Sequence, residues 1–106
     1  MTTVDRAQIE TLVVDALRDV YDPEIPVNIH ELGLIYGVAV SPSGSVAIRM
    51  TLTAAGCPAA QVLPSEVERQ ARTVPGVTDV TVDVTFDPPW DPSRMSEAAK
   101  LQLGLL

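Results

Sequence analysis

Cys57 stands between Gly56 and Pro58, where a stretch of strand character gives way to one of helical character. At such a junction a cysteine offers a soft metal ligand or a nucleophile, because helix-starting backbone donors stabilise its thiolate. The plainer use of the same residue is as a small buried hydrophobe. A second polar concentration holds Asp22, Glu24, Asn28, His30 and Glu31. Its carboxylates and imidazole could complete a metal site or orient a partner, provided the fold brings them to Cys57. Otherwise the carboxylates serve loop solvation and turn caps, and His30 makes a backbone hydrogen bond. Thr51 and Thr53 share one face of the strand entering the Cys57 segment, where local hydrogen bonding is their simplest use.

No phosphate-binding glycine loop with its lysine, no paired-cysteine knuckle and no serine nucleophile motif occurs in the chain. A hydrolase using Cys57 and His30, with Asp22 or Glu24 orienting the imidazole, is chemically feasible. Nothing local fixes that triad. It stands as the enzyme alternative beside a purely structural adaptor.

The elements that must position these groups follow from periodicity. From Val4 to Val20, Ile9, Leu12, Val13, Ala16, Leu17 and Val20 recur at helical spacing, which predicts an amphipathic helix capped by Thr2 or Thr3. Pro23 and Pro26 end it, so Asp22 to Asn28 is a rigid loop or short turn. Leu34 to Val40 and Val46 to Thr53 read as strands, and Ser41-Pro42-Ser43-Gly44 between them predicts an antiparallel hairpin. Ala60, Leu63, Val67, Ala71 and Val74 form one side of a second helix. Pro64 leaves two options there: a continuous helix, or one whose regular part starts near Pro64 with Cys57 in a separate turn.

Val77 to Phe86 alternates as a third strand, with Val80, Val82, Val84 and Phe86 on the apolar side. Asp87-Pro88-Pro89-Trp90-Asp91-Pro92 is too constrained for a central strand. A short tail helix follows, with Asp91 as cap, Pro92 first and Gly104 as stop. Trp90 could anchor a partner or seal the core beneath the tail. The expected order is α-β-β-α-β plus a C-terminal helix: a compact two-layer α+β domain, one domain over residues 1–106.

The formal net charge is −7, and the seven basic residues are scattered. Nucleic acid and anionic membrane surfaces are therefore poor partners. The single cysteine allows no intrachain disulfide, and the chain shows neither an export-signal pattern nor a membrane-spanning apolar run, so a cytoplasmic location is expected. Exposed-looking Trp90 and the apolar end Leu101 to Leu106 suggest a homodimer.

The ordered combination of motifs is more specific. Asp22-Pro23-Glu24-Ile25-Pro26-Val27-Asn28-Ile29 and Glu31-Leu32-Gly33-Leu34-Ile35-Tyr36 are followed by Met50-Thr51-Leu52-Thr53 and Gly56-Cys57-Pro58. Phe86-Asp87-Pro88-Pro89-Trp90 and Arg94-Met95-Ser96 complete the series. Together they resemble the metal-sulfur cluster biosynthesis family of SufT-like and PaaD-like proteins, a domain of unknown function now linked to iron-sulfur assembly. The resemblance implies an iron-sulfur cluster assembly domain-like fold and an accessory, carrier or transfer factor acting with the assembly machinery and recipient apo-proteins. It places Cys57 at the ligand or attachment position for a transient iron-sulfur cluster or iron, with Asp22 and Glu24 in the binding loop. Asn28, Thr51, Thr53, Trp90 and Arg94 become partner-contacting or loop-shaping residues. His30 and Glu31 depart from the family's usual aliphatic residue followed by Asp, and the missing cysteine-bearing tail favours the SufT-like branch. One cysteine cannot supply the four thiolates of an ordinary cluster, so transfer at an interface fits better than storage.

Overall fold

The computed structural model describes residues 6–21, 27–52 and 59–104. Helix α1 (Arg6–Leu17) is followed by strands β1 (Ile35–Val40) and β2 (Ser45–Met50), helix α2 (Ala59–Arg72) and strand β3 (Asp79–Val84). A 3₁₀ turn (Pro92–Arg94) and helix α3 (Glu97–Gln102) close the tail. This is the expected α+β order.

Ile9, Val13 and Leu17 recur every four residues on α1 and are buried, so that face forms the helix's contact with the core. The apolar period runs past the helix because Arg18, Asp19 and Val20 tighten into i→i−3 bonds; Val20 is buried all the same. Leu12, assigned to the same face by its spacing, is instead 36% exposed. The predicted caps Thr2 and Thr3 lie outside the described residues.

Alternation decides the central strand. Val46, Ile48 and Met50 of β2 point into the core while Ala47 and Arg49 face outward, as period two requires. β1 pairs antiparallel with β2, Gly37 opposite Arg49 and Ala39 opposite Ala47, with an irregularity at Tyr36. The hairpin turn closes through the Ser41 and Gly44 amides. Gly44 has φ +91°, and a Cβ there would stand 2.2 Å from the Gly76 carbonyl oxygen. Glycine is thus required twice over, by conformation and by the approach of the α2–β3 turn.

β3 pairs with β2 in parallel, so the sheet order is β1-β2-β3 and α2 forms the crossover. Pro64 lies inside α2, which begins five residues before it, so the helix runs through the proline; Cys57, whose place was the other half of that choice, lies outside the described residues. Among the described side chains of that helix, Leu63, Val67 and Ala71 are buried; that of Ala60 lies outside them. β3 is shorter than its alternating pattern. Phe86, placed on the apolar face by period alone, lies past the end of the strand and is 45% exposed. As an edge strand with one neighbour, β3 buries Val80 and leaves Val82 and Val84 only partly buried.

The tail divides where the sequence suggested one helix. Asp91 caps the 3₁₀ turn with Pro92 at its first position, and Ser96 separately caps α3 by accepting from the Ala99 amide. Gly104, at φ +75°, ends it.

Candidate functional site

Asp22, Glu24, Thr53 and Cys57 lie outside the described residues. The structure does define the two segments that flank them: the turn Asn28–Gly33, which follows the acidic loop, and the end of β2, which leads to Cys57.

The turn is built by alternating burial. Ile29, Leu32 and Leu34 are fully buried, so the polar residues between them must find partners at the surface. Asn28 accepts the Glu31 amide on Oδ1 at 2.9 Å, and its carbonyl accepts the Leu32 amide. It therefore shapes the loop's exit. Ile29 donates to the Val20 carbonyl, tying the turn to the end of α1.

Glu31 joins three elements. Its Oε1 accepts from Arg18 Nη1 at 2.8 Å, and its carbonyl accepts the Ser96 amide at 2.9 Å. The Ser96 hydroxyl holds its carboxyl below the usual range; partial burial opposes this, and the Arg18 guanidinium lowers it further. His30 Nδ1 is buried without a hydrogen-bond partner among the described residues, 3.7 Å from Glu31 Oε1. That separation is too long for a hydrogen bond. The backbone bond expected for the imidazole is therefore not made through Nδ1, and the carboxylate beside it is already engaged by Arg18.

The tail lies across the same turn. Trp90 packs against the core and donates its indole N–H to the Leu32 carbonyl at 2.7 Å. Of its two anticipated roles, sealing the core is the one its contacts display. Tyr36 donates its hydroxyl to the Pro88 carbonyl at 2.8 Å, and the Arg94 guanidinium lies 4.8 Å from the centre of the Tyr36 ring, within cation–π range. Gly33, at φ +78°, makes the contact feasible: a Cβ there would stand 2.3 Å from the Arg94 carbonyl oxygen. A cavity of about 100 Å³ remains between the turn and α3, lined by Tyr21, Asn28, Glu31 and Ala99 among others.

Thr51 connects this turn to the approach to Cys57. Its amide donates to the Leu34 carbonyl at 2.8 Å. The residue is fully buried, and its hydroxyl has no hydrogen-bond partner among the described residues. Among the described residues the local bond expected of that hydroxyl is not made; a buried group left unpaired costs about 1–3 kcal/mol.

Sequence reasoning missed Arg18, Gly33, Tyr36 and Ser96 as parts of this assembly. The glycine before a strand and the tryptophan between prolines were the available signals; long-range partners left none. Among the described residues no group of three or more His, Cys, Asp or Glu side chains could hold a metal ion, and no helix is long and apolar enough to cross a membrane.

Residues 10–84 match the family model described as "Iron-sulfur cluster assembly protein". A Porphyromonas gingivalis protein named Fe-S protein maturation auxiliary factor is 50% identical, covering 93% of this chain and 94% of its own. The Bacillus subtilis Fe-S protein maturation auxiliary factor YitW is 41% identical over 88% of this chain and 91% of its own. Both are named as auxiliary factors rather than enzymes. A solved domain of unknown function, DUF59, from Bacillus anthracis superimposes with a TM-score of 0.89 at 37% identity, covering 95% of this chain and 96% of that one.

Proposed function

Because this chain belongs to the iron-sulfur cluster assembly protein family, we propose that it serves as a maturation auxiliary factor that handles its cargo through Cys57. The observation that carries this reading is the match over almost the full length of both chains to a maturation auxiliary factor. The general role, an accessory or carrier factor in iron-sulfur assembly, follows from that membership.

In the finer reading, the Cys57 sulfur is a soft ligand or transient attachment point for an iron-sulfur cluster or iron. The cluster is cargo, because one thiolate cannot retain it alone. Asp22 and Glu24 contribute the acidic loop. Asn28 sets the exit of that loop, while Trp90 and Arg94 brace the following turn from the tail. Thr51, whose buried hydroxyl has no partner among the described residues, and Thr53 precede Cys57 in the sequence. Thr51 would gain its missing hydrogen bond from cargo or from a segment that moves during exchange. The factor works in the cytoplasm, as a homodimer, with the assembly machinery and recipient apo-proteins. A Cys57–His30 hydrolase finds no support in relatives named as auxiliary factors.

Anaerobic cluster transfer to candidate apo-proteins tests the reading with wild type and Cys57→Ser, folding being checked in both. Serine retains approximate size and lacks the soft sulfur. Transfer should be lost in the folded variant. Equal transfer rates and equal metal binding would remove Cys57 from the mechanism.

A further inference from the structure

Arg18, Arg49, Arg69 and Arg72 each have a carboxylate oxygen within 4.0 Å. Arg94 has none among the described residues. It is exposed, and its guanidinium lies 4.8 Å from the centre of the Tyr36 ring. Arg6 and Lys100 form no described ion pair either, but neither is held over a ring. The acidic neighbours of Arg94 in the chain serve other ends. Asp91 accepts the Ser93 amide and hydroxyl on Oδ1, and Glu97 stands in the first turn of α3, where a carboxylate favours the helix's positive end. Glu31, which meets the tail at Ser96, is taken by Arg18.

A ring contact attracts the charge of a guanidinium and uses none of its N–H donors. The tyrosine is itself fixed, because its hydroxyl donates to the Pro88 carbonyl at 2.8 Å. Arg94 is thus held in place with its hydrogen-bonding fork unoccupied, which lowers the ordering cost of binding an anion. Its main chain serves the fold separately, through the carbonyl that closes on Gly33.

We propose that the Arg94 side chain, held by Tyr36, docks a partner protein through the side-chain carboxylate of an Asp or Glu set among apolar residues. Charge selects a single carboxylate. Arg94 is one cation on a chain of net charge −7, with Asp87 and Asp91 on the same exposed segment, so a polyanion is repelled. The backbone selects a side chain as the carrier. The amides of Ser93, Arg94, Met95 and Ser96 all donate within the protein, to Asp91 Oδ1 and to the carbonyls of Asp91, Pro92 and Glu31. No nest of unused amides therefore surrounds the guanidinium. Phosphates and chain ends are captured by such nests, whereas a side-chain carboxylate needs only the fork. The border of the site is apolar: Phe86 is 45% exposed, Pro88 and Pro89 are exposed, and the Tyr36 hydroxyl ties this segment to the ring beneath Arg94. Apolar neighbours of the partner's acidic residue cover that border and keep water from the ion pair. The inference goes beyond the handling of cargo, and it holds whether or not Cys57 is the attachment point.

NMR titration of the full chain at neutral pH, followed at the Arg94 side-chain Nε–H and the Tyr36 and Phe86 amides, tests it. The probe is the peptide acetyl-Leu-Glu-Leu-amide. Its companions are the Gln twin, acetyl-Leu-Gln-Leu with a free chain end, and inorganic phosphate. The Glu peptide should bind saturably with a Kd of about 1–10 mM, as befits so small a ligand, and the Gln twin at least about fivefold more weakly. Arg94→Gln should abolish saturation, and Arg94→Lys should weaken binding at least about threefold, because an ammonium lacks the fork. Arg69→Gln makes the same charge change on α2 and should leave the constant unchanged. Amide spectra establish that each variant is folded. The assignment is overturned by no saturable shift up to about 20 mM, by equal binding of the Gln twin, or by unchanged binding in folded Arg94→Gln. Tighter binding of the chain-end peptide or of phosphate than of the Glu peptide would overturn it as well.

Discussion

Replacing Thr51 by valine separates what this residue does for the fold from what it does for the site. The side chain is fully buried, and its hydroxyl has no hydrogen-bond partner among the described residues. Valine fills nearly the same shape with a methyl group. The substitution removes a desolvated polar atom and breaks no side-chain bond to a described residue, while the backbone bond from the Thr51 amide to Leu34 is untouched. An unpaired buried polar group costs about 1–3 kcal/mol, so Thr51→Val should stabilise the protein by about 1 kcal/mol once small packing losses are allowed for. For a domain of this size that is a rise of roughly 4–8 °C in Tm. Urea denaturation followed by circular dichroism should show a higher midpoint with an unchanged slope. Cluster transfer should fall in the same variant, because the hydroxyl would then be missing where cargo needs it. A midpoint that drops by more than about 0.5 kcal/mol equivalent would mean the hydroxyl is bonded after all. A stabilised variant with undiminished transfer would leave Thr51 without a part in exchange.

Trp90→Phe keeps most of the buried ring but leaves the Leu32 carbonyl without its 2.7 Å donor; a loss of about 2 kcal/mol is expected by thermal denaturation, and an unchanged Tm would show that the tail is not held this way. Gly33→Ala places a methyl against the Arg94 carbonyl at positive φ and should cost at least about 2 kcal/mol, read by urea midpoint, with faster proteolysis of the tail. Because Glu31 has a lowered carboxyl pKa in the fold, the unfolded chain takes up the proton first as pH falls. Its stabilising contribution is therefore complete above the ordinary glutamate range and is lost as pH drops through and below it. Glu31→Gln should be less stable than wild type at pH 7, the gap narrowing towards about pH 3. A gap that stays constant across a pH series of urea titrations would show that the charge on Glu31 is not what matters. Calorimetry of residues 1–106 should give one cooperative transition, as a single domain requires; two resolved transitions would divide the chain.

Periodicity revealed the parts of this fold that depend on one element alone. Val46, Ile48 and Met50 occupy the buried positions their alternation demanded, and Asp91-Pro92 and Gly104 act as cap and stop. The pattern failed where burial depends on what lies opposite. Leu12 and Phe86 have the spacing of core residues and stay partly in water, one on the margin of its helix face and the other past the end of an edge strand. The parallel pairing of β3 with β2 has no local signature, since it is set by a crossover. The candidate site divides the same way. The polarity of Asn28 and Thr51 marked them as functional or loop-shaping, but their actual bonding partners, and the tail's hold on Leu32 and Glu31, join residues as much as 65 positions apart. No short-range pattern encodes such a contact.

That hold has a consequence for how the protein is made. The hairpin needs only neighbouring residues, and it can form within microseconds of emerging from the ribosome. β3 must await the crossover helix, because its partners in β2 lie 34 positions earlier and long-range pairing is slow. The turn between Asn28 and Gly33 is synthesised early yet finished last. Its carbonyls at Glu31 and Leu32 acquire their donors only when Ser96 and Trp90 arrive. A nascent chain halted after β3 would carry the sheet and both main helices with this turn still unbraced. The shape of this turn is thus decided by Ser96 and Trp90, the last-translated of the residues that bond its carbonyls.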